Sequence, residues 1–235
     1  MTGTAQDLLV TVSDEYERIF AALEPLAAVF AGTVTNAPGR ASTTDLAALR
    51  ETIFAVLAAH HGLVAGAGVI TAPALLADAD YWLEWWWTRP SGGHEALRVN
   101  LDPTAPDFFE YTTADWYATP RRTATRHVSG PYVDYACTTE YATTVAVPVY
   151  ADGVFIGVAA ADVLVSHLEQ RVLPALRRLG HSLALVNAAG RVVVSASPRY
   201  APGELVPLVD AHPVSLASAV NWTVVDTATA VSTRS

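Results

Sequence analysis

The stretch TTVAVPVYADGVFIGVAAADV, residues 143–163, decides the fold. Both of its halves are dominated by Val, Ala and other apolar residues, and Asp152 and Gly153 stand between them. An Asp-Gly pair suits the positive φ angles of a tight turn, and β-branched side chains such as Val favour strands. The sequence therefore predicts an antiparallel hairpin with strands at residues 143–150 and 154–163.

The segments around this hairpin predict a meander interrupted by a helix. Residues 166–179 have the spacing of an amphipathic helix, with Pro174 in its interior, and residues 107–117 fit a short aromatic-rich helix or loop. The remaining strand candidates are short apolar runs bounded by turn residues. They lie at residues 64–70, 81–88, 95–101, 183–187, 191–195 and 222–225.

The first third of the chain predicts helices. Apolar residues recur there at three- and four-residue intervals, as on one face of a helix. They are Leu9, Val12, Tyr16, Ile19, Phe20, Leu23 and Phe30. Pro25 is expected to kink or split this helix, because proline removes a backbone donor. Ser42 with Asp45 three residues later resembles a capping box that opens a second helix.

Helices followed by an antiparallel meander indicate an α+β fold with the helices on one side of a sheet. We divide the chain into an N-terminal helical region, residues 1–62, for dimerisation and packing, and a sheet domain, residues 63–235. Tyr16, Ile19, Phe20 and Leu23 form a stripe that exceeds what a small sheet covers. A homodimer through this helix is therefore expected.

Composition excludes several classes of protein. The chain has 235 residues, is 51% apolar, and carries 23 acidic residues against 14 Arg and no Lys, for a net charge of −9. It is too apolar for intrinsic disorder, and too acidic to favour nucleic acid or an anionic membrane as partner. Cys137 stands alone, which excludes an intrachain disulfide. The apolar runs are interrupted and no basic residue precedes the first, so we expect neither a transmembrane helix nor a signal peptide, and a cytoplasmic location.

Enzyme motifs are absent from the sequence. It contains no dinucleotide-binding Gly motif that opens a helix, no phosphate-binding loop and no nucleophile elbow. The adjacent pair His60 and His61 is more typical of a helix C-terminus than of a metal site. We therefore predict no catalytic residue, no metal ligand and no cofactor. A metal-dependent enzyme using Asp134, Asp162 and His127 stays an alternative.

Aromatic residues cluster with carboxylates. The chain has six Trp and nine Tyr, many of them in residues 81–87, 108–117 and 132–141, close to Glu84, Asp134 and other acids. Side chains alternate along a strand, so the run Trp85–Trp87 cannot face one side only. One face is expected to pack on a second layer and the other to line a pocket. Aromatic faces with carboxylates suit an ammonium group, against the alternative of ordinary core packing.

Three motifs, in order, resemble the Cache family of sensor domains. They are the pair Trp116-Tyr117, the turn at residues 129–134 with its Pro-Tyr-x-Asp pattern, and the hairpin at residues 146–163. The resemblance implies a PAS-like, mainly antiparallel sheet with flanking helices, a long N-terminal helix and a small-molecule pocket on one sheet face. It also implies ligand sensing without catalysis. Such domains usually precede a transmembrane helix and an output module, whereas this chain is expected to be freestanding and to signal through a separate protein.

The resemblance also implies site residues. In amino-acid-sensing members an Arg two positions before the Trp grips the carboxylate, and the Asp that ends the hairpin takes the ammonium. Here that Arg position holds Ala114, so an amine is favoured over an amino acid. Arg98, Arg121 or Arg122 is an alternative source of the missing guanidinium. The predicted ligand-binding residues are Trp85, Trp116, Tyr117, Tyr132, Asp134 and Asp162. An interaction scaffold without a ligand is the further alternative.

Overall fold

A computed structural model describes residues 4–89, 91–136, 138–207, 214–215 and 220–228. Cys137 and the turn residue Pro90 lie outside the described residues. The chain begins with a long helix, α1 (Ala5–Thr35), which a capping box between Thr4 and Asp7 opens. A short helix, α2 (Thr43–Leu46), follows with its own capping box from Ser42 and Asp45, as predicted. A single 3₁₀ turn leads from it into α3 (Arg50–Ala59).

Six antiparallel strands form the main sheet, in the order β3-β2-β1-β6-β5-β4. Their bounds are β1 (Val64–Thr71), β2 (Leu83–Thr88), β3 (His94–Ala96), β4 (His127–Val133), β5 (Tyr141–Ala151) and β6 (Val154–Leu164). The predicted hairpin is β5–β6, and it turns through Asp152 and Gly153, whose φ angles are 50° and 78°. The predicted antiparallel hairpin within residues 143–163 is therefore confirmed.

A second, smaller sheet follows the main one. It has the order β8-β7-β10-β9, with bounds β7 (Leu183–Val186), β8 (Val192–Ser195), β9 (Val214–Ser215) and β10 (Thr223–Asp226). The amphipathic helix α5 (Val165–Leu179) connects the two sheets and runs through Pro174 without interruption. The predicted β7–β8 hairpin is confirmed, but the strands after α5 form a sheet of their own.

One face of the main sheet packs against α1, α3 and α5 in a single hydrophobic core that also includes residues of the small sheet. The Tyr16 hydroxyl of α1 lies 2.7 Å from the Thr143 hydroxyl of β5 within this core. The opposite face carries a separate apolar cluster that includes Ile70, Trp85 and Tyr111. The adjacent strand residues Val69 and Ile70 belong to different clusters, as alternation requires.

The structure corrects three expectations about helices. α1 is continuous through Pro25, so that residue does not split it. The segment predicted as a helix or loop at 107–117 becomes a helix only from Asp115, where α4 (Asp115–Thr123) begins. Tyr117 of α4 lies in the cluster opposite α1, so the helices flank both faces of the main sheet and not one.

The stripe on α1 is not exposed. Tyr16, Ile19 and Leu23 have no exposed surface and Phe20 is 1% exposed, because the chain's own sheet covers them. The sequence argument for a dimer through this stripe is therefore wrong. α1 is also long and apolar enough to cross a membrane, by length and composition alone, contrary to the expectation drawn from its interrupted apolar runs. Core helices of soluble proteins and signal sequences near the N-terminus pass the same test.

Candidate functional site

A cavity of about 210 Å³ lies on the sheet face opposite α1. Strands of the main sheet form its floor, and the long connection between β3 and α4, the start of α4 and the β4–β5 turn form its walls. The residues that line it are Ile70, Leu83, Trp85, Leu97, Phe109, Glu110, Tyr111, Ala114, Trp116, Tyr132, Val133, Asp134, Tyr135, Ala136, Thr144 and Asp162. Five of the six predicted ligand-binding residues, all except Tyr117, are among them.

A chain of hydrogen bonds connects three strands on the cavity floor. The Thr144 hydroxyl donates to Asp162 Oδ1 over 2.6 Å, and the Tyr132 hydroxyl lies 2.5 Å from the same Thr144 oxygen. A threonine hydroxyl has one proton, and here that proton faces the carboxylate. The Tyr132 hydroxyl therefore donates to Thr144, and both hydroxyls orient toward Asp162. This arrangement leaves the other carboxylate oxygen, Oδ2, for a ligand.

Burial among apolar side chains raises the pKa of Asp162 to about 7, and the nearby charge of Asp134 raises it further, while the Thr144 hydrogen bond lowers it. The carboxyl group thus changes charge close to neutral pH. A bound cation would favour the ionised form, since an opposite charge stabilises a carboxylate. Asp162 is therefore suited to exchange a proton for a cationic ligand.

Asp134 has a structural role in addition to its place at the cavity. It is buried, and its carboxylate accepts hydrogen bonds from the Ala136 backbone at 3.1 Å and the Thr138 hydroxyl at 3.3 Å. Its backbone N–H donates to the carbonyl of Glu140. These bonds close the β4–β5 turn, so Asp134 fixes the loop that carries the exposed side chain of Tyr135 over the cavity.

Glu110 is the lining acid that sequence reasoning did not select. It comes from the irregular connection before α4, and its Oε1 accepts hydrogen bonds from the Thr112 backbone and hydroxyl at 2.8 and 2.5 Å. With Asp134 and Asp162 it is one of three acidic residues that line the cavity. Among the described lining residues there is no Arg or His to oppose them.

The Arg residues that were considered as replacements lie elsewhere. Arg98, Arg121 and Arg122 are exposed, and none of them lines this cavity. Arg98 lines a different depression, beside Arg50 at the edge of β2. The alternative in which one of these three residues restores the carboxylate grip at this cavity is therefore wrong.

The tryptophans of β2 divide between the two faces of the sheet as predicted. Trp85 lines the cavity, while Trp86 faces α3, where its indole N–H donates to Glu84 over 2.8 Å and its ring meets Phe54 edge-on. The Trp85 indole lies directly over Gly66 of β1. A β-carbon at Gly66 would come within 2.8 Å of the indole nitrogen, so the glycine creates the space that the ring occupies.

Tyr117 belongs to the core beside the cavity and not to its lining. Its ring packs edge-on against Tyr111 and Phe155 at centroid distances of 5.4 and 5.6 Å, and burial raises the pKa of its hydroxyl. Consecutive residues of a helix point about 100° apart. Because Trp116 faces the cavity, its neighbour Tyr117 faces away from it. The prediction that Tyr117 contacts a ligand does not agree with this geometry.

The start of α4 is held in place by Asp115. Its Oδ2 accepts hydrogen bonds from His127 Nε2 at 2.7 Å and from the Ser129 hydroxyl at 2.6 Å, both on β4. This anchor positions Trp116 against the cavity and engages the histidine that the enzyme alternative required. In the described part of the chain, no group of three His, Cys, Asp or Glu side chains is arranged to hold a metal ion.

Comparison with known proteins identifies the fold. Residues 96–170 match the family model of the first PDC sensor domain of methyl-accepting chemotaxis-like proteins. The extracellular domain of soHK1S-Z6, described as a histidine kinase, aligns with a TM-score of 0.67 at 15% identity, over 93% of this chain and 88% of that one. The ligand-binding domain of the Campylobacter jejuni chemoreceptor Tlp3, in complex with 4-methylisoleucine, gives 0.56 at 14%, over 94% and 88%.

A third structure extends the range of ligands among these neighbours. The ligand-binding domain of the Pseudomonas aeruginosa PAO1 amino acid chemoreceptor PctC, in complex with GABA, aligns with a TM-score of 0.53 at 18% identity, over 93% of each chain. No curated protein matches the chain. The fold is that of the PDC or Cache class of ligand-sensing domains, and the resemblance that the sequence motifs indicated is confirmed.

Proposed function

We propose that this protein is a non-catalytic sensor that binds a small primary amine, or an amino-acid-like ligand, in the cavity over Asp162. One observation carries the proposal: aromatic residues and three acidic residues line the cavity, and no cationic residue is among its described lining residues. Aromatic faces attract an ammonium group through their quadrupole, and a carboxylate accepts a charge-assisted hydrogen bond from it. The ammonium would lie at Asp162, with its alkyl part against Trp85 and Trp116.

The class of ligand follows from the absence of an Arg side chain at position 114, where the chain has Ala114. The neighbouring structures hold amino acids, which bring a carboxylate together with the ammonium. Within this cavity a carboxylate beside Ala114 would meet no guanidinium among the described lining residues, and it would share the space with Glu110 and Asp134. Like charges in a partly dehydrated site repel each other. An amine without an α-carboxylate is therefore the better ligand.

Output, assembly and location are further parts of the proposal. Neighbouring domains come from a chemoreceptor and from a protein described as a kinase, which supports passage of the signal to a signalling protein. A homodimer through α1 stays a prediction. With its stripe buried, such a dimer would use the opposite face, where Val10 and Val29 are 41% and 39% exposed. A cytoplasmic location also stays a prediction, to be tested by cell fractionation, since the first neighbour named above is an extracellular domain.

Calorimetry with matched ligands tests the proposed function. At pH 8, propylamine and butylamine are expected to bind more tightly than 2-aminobutanoate, and acetate is expected not to bind measurably. The reason is that each cation–π contact contributes ~0.5–2 kcal/mol, whereas an unpaired carboxylate loses its hydration without compensation. Tighter binding of the α-amino acid than of the amine would contradict the proposal, as would the failure of every amine to bind.

A substitution at Ala114 tests the same reasoning in reverse. Ala114→Arg places a guanidinium at the start of α4, beside the cavity and two positions before Trp116. It is expected to improve the affinity for 2-aminobutanoate at least tenfold and to weaken that for butylamine, because the new cation pairs with a carboxylate and repels an ammonium. Ala118→Arg, on the same helix but absent from the lining, is the matched control. Equal effects of both variants would show that the site does not discriminate in this way.

A further inference from the structure

A second cavity, of about 440 Å³, lies where β4 meets the small sheet. Residues 129–132 of β4 and the start of α4 line one side of it, and Asn187 and Arg191 of the β7–β8 hairpin line the other. The two sides are joined by a hydrogen bond of 2.7 Å, in which the Asn187 side chain donates to the carbonyl of Gly130. The hairpin is thus fixed to the main sheet at this cavity.

Arg191 is a half-buried cation at this second cavity. One of its terminal N–H groups donates to the carbonyl of Gly203, and its backbone N–H donates to the Asn187 side chain at 2.9 Å. Within the described parts of the chain, Arg191 takes part in no ion pair. A guanidinium offers five N–H donors, and a partly buried charge is stabilised by a counter-charge. The residue is therefore suited to an anionic group.

Asp115, the acid that lines the same cavity, does not serve as that counter-charge. Its two carboxylate oxygens accept hydrogen bonds from Thr119, His127 and Ser129. Among the described residues its one basic contact is His127, which is charged only when it is protonated. An anion that enters the second cavity would therefore pair with the guanidinium of Arg191.

The two cavities share a wall. Ala114, Trp116 and Tyr132 line both of them. The Ala114 side chain is a single methyl group, at the position where the resemblance places an Arg, so it adds little volume to the shared wall. The shared lining makes the two cavities direct neighbours.

We propose that the two cavities form one bipartite site for an ω-amino acid, with its ammonium at Asp162 and its terminal carboxylate at Arg191. This inference rests on the proposed function, since it assumes that an ammonium occupies the first cavity. An α-amino acid carries both charges on one carbon and cannot reach both residues. An alkylamine leaves Arg191 without its anion. Affinity is therefore expected to depend on the number of carbons between the two charges.

Calorimetry at pH 8 measures this dependence. The ω-amino acids from 3-aminopropanoate to 6-aminohexanoate are compared with the alkylamines of equal carbon number. At least one ω-amino acid is expected to bind tenfold or more tightly than its alkylamine, and Arg191→Gln is expected to remove that advantage. Arg199→Gln, an exposed Arg in the same part of the chain that lines neither cavity, is expected to retain it. An advantage that survives in Arg191→Gln would overturn the inference.

Arg191 also donates to the carbonyl of Gly203, so Arg191→Gln could weaken binding through a folding defect. A second variant separates these two effects. Ala114→Leu thickens the shared wall and leaves Arg191 in place, and it is expected to remove the advantage of the ω-amino acid as well. The outcomes separate the two proposals. If no alkylamine binds the wild-type protein, the proposed function fails. If alkylamines bind but no ω-amino acid of any length binds better, only the bipartite site fails.

Discussion

Asp162 concentrates the chemistry of the site in one residue. Thr144 donates to it, and Tyr132 donates to Thr144, so two hydroxyls orient toward a carboxylate that burial makes costly to ionise. Asp162→Asn keeps the acceptor for Thr144 but removes the charge. We expect this variant to fold and to bind butylamine at least tenfold more weakly in calorimetry, with Asp152→Asn in the exposed hairpin turn as control. Unchanged affinity would make Asp162 a structural residue.

The pKa of Asp162 predicts how binding depends on pH. With a pKa of about 7, the group is mostly ionised at pH 8 and mostly neutral at pH 6, whereas an alkylammonium, with a pKa of about 10.4 for a lysine-like amine, stays charged throughout. Butylamine affinity is therefore expected to fall about tenfold from pH 8 to pH 6, and to change little in Asp162→Asn. A flat profile in the wild-type protein would exclude Asp162 as the acceptor.

The resemblance to the Cache family predicted part of this site. Trp116, Tyr132 and Asp162 were selected from a motif, and the structure brings them to one cavity. Tyr117 does not line the cavity, because helix geometry turns it away from its neighbour Trp116. Glu110 was not selected because it lies in an irregular connection, where side-chain direction follows no period that a sequence shows. The ligand contacts of all these residues remain predictions.

Strand β1 shapes the cavity because it has no side chain at Gly66. Gly66 leaves room for the Trp85 indole, and a β-carbon there would approach the ring to 2.8–3.3 Å. Because the obstacle is a side chain, Gly66→Ala is expected to fold with the indole displaced into the cavity. Butylamine affinity should then fall several-fold in calorimetry, with a shift in tryptophan fluorescence.

Two other glycines provide controls for that substitution. A β-carbon at Gly39 meets nothing within 4 Å, so Gly39→Ala should leave binding and fluorescence unchanged. At Gly68 the obstacle is the carbonyl oxygen of Glu84 in the neighbouring strand, so Gly68→Ala should lower the melting temperature. If Gly66→Ala binds butylamine as the wild-type protein does, the position of the indole is not important for the ligand.

Strands were easier to predict than the relations between them. The β5–β6 hairpin follows from an Asp-Gly turn between apolar runs, and α5 from its amphipathic spacing despite Pro174. Local pattern could not show that β7–β10 form a sheet of their own. Nor could it show that α1 continues through Pro25, where burial of Leu23 and Leu26 on both sides compensates for the missing backbone hydrogen bond.

At the scale of the whole molecule, α1 and the two sheets share one core. Side chains of α1 and α3 belong to the same hydrophobic cluster as residues of the main sheet, Val224 of the small sheet and Trp222, which directly precedes β10. The Tyr16 ring meets that of Trp222 edge-on, at a centroid distance of 4.9 Å. The helical region at residues 1–62 therefore acts as the cover of the sheet domain on that face.

The shared core predicts whether residues 63–235 can fold without the helical region at residues 1–62. Full burial of a large apolar side chain contributes about 1.5–3 kcal/mol, so Tyr16, Ile19, Phe20 and Leu23 together contribute roughly 6–12 kcal/mol, as much as the ~5–15 kcal/mol that stabilises a typical domain. A fragment of residues 63–235 is thus expected to lack fixed tertiary structure, seen as loss of near-ultraviolet circular dichroism. The full chain should unfold in one thermal transition, coincident in circular dichroism and tryptophan fluorescence. A fragment with its own cooperative transition would show instead that the sheet domain folds without its helical cover.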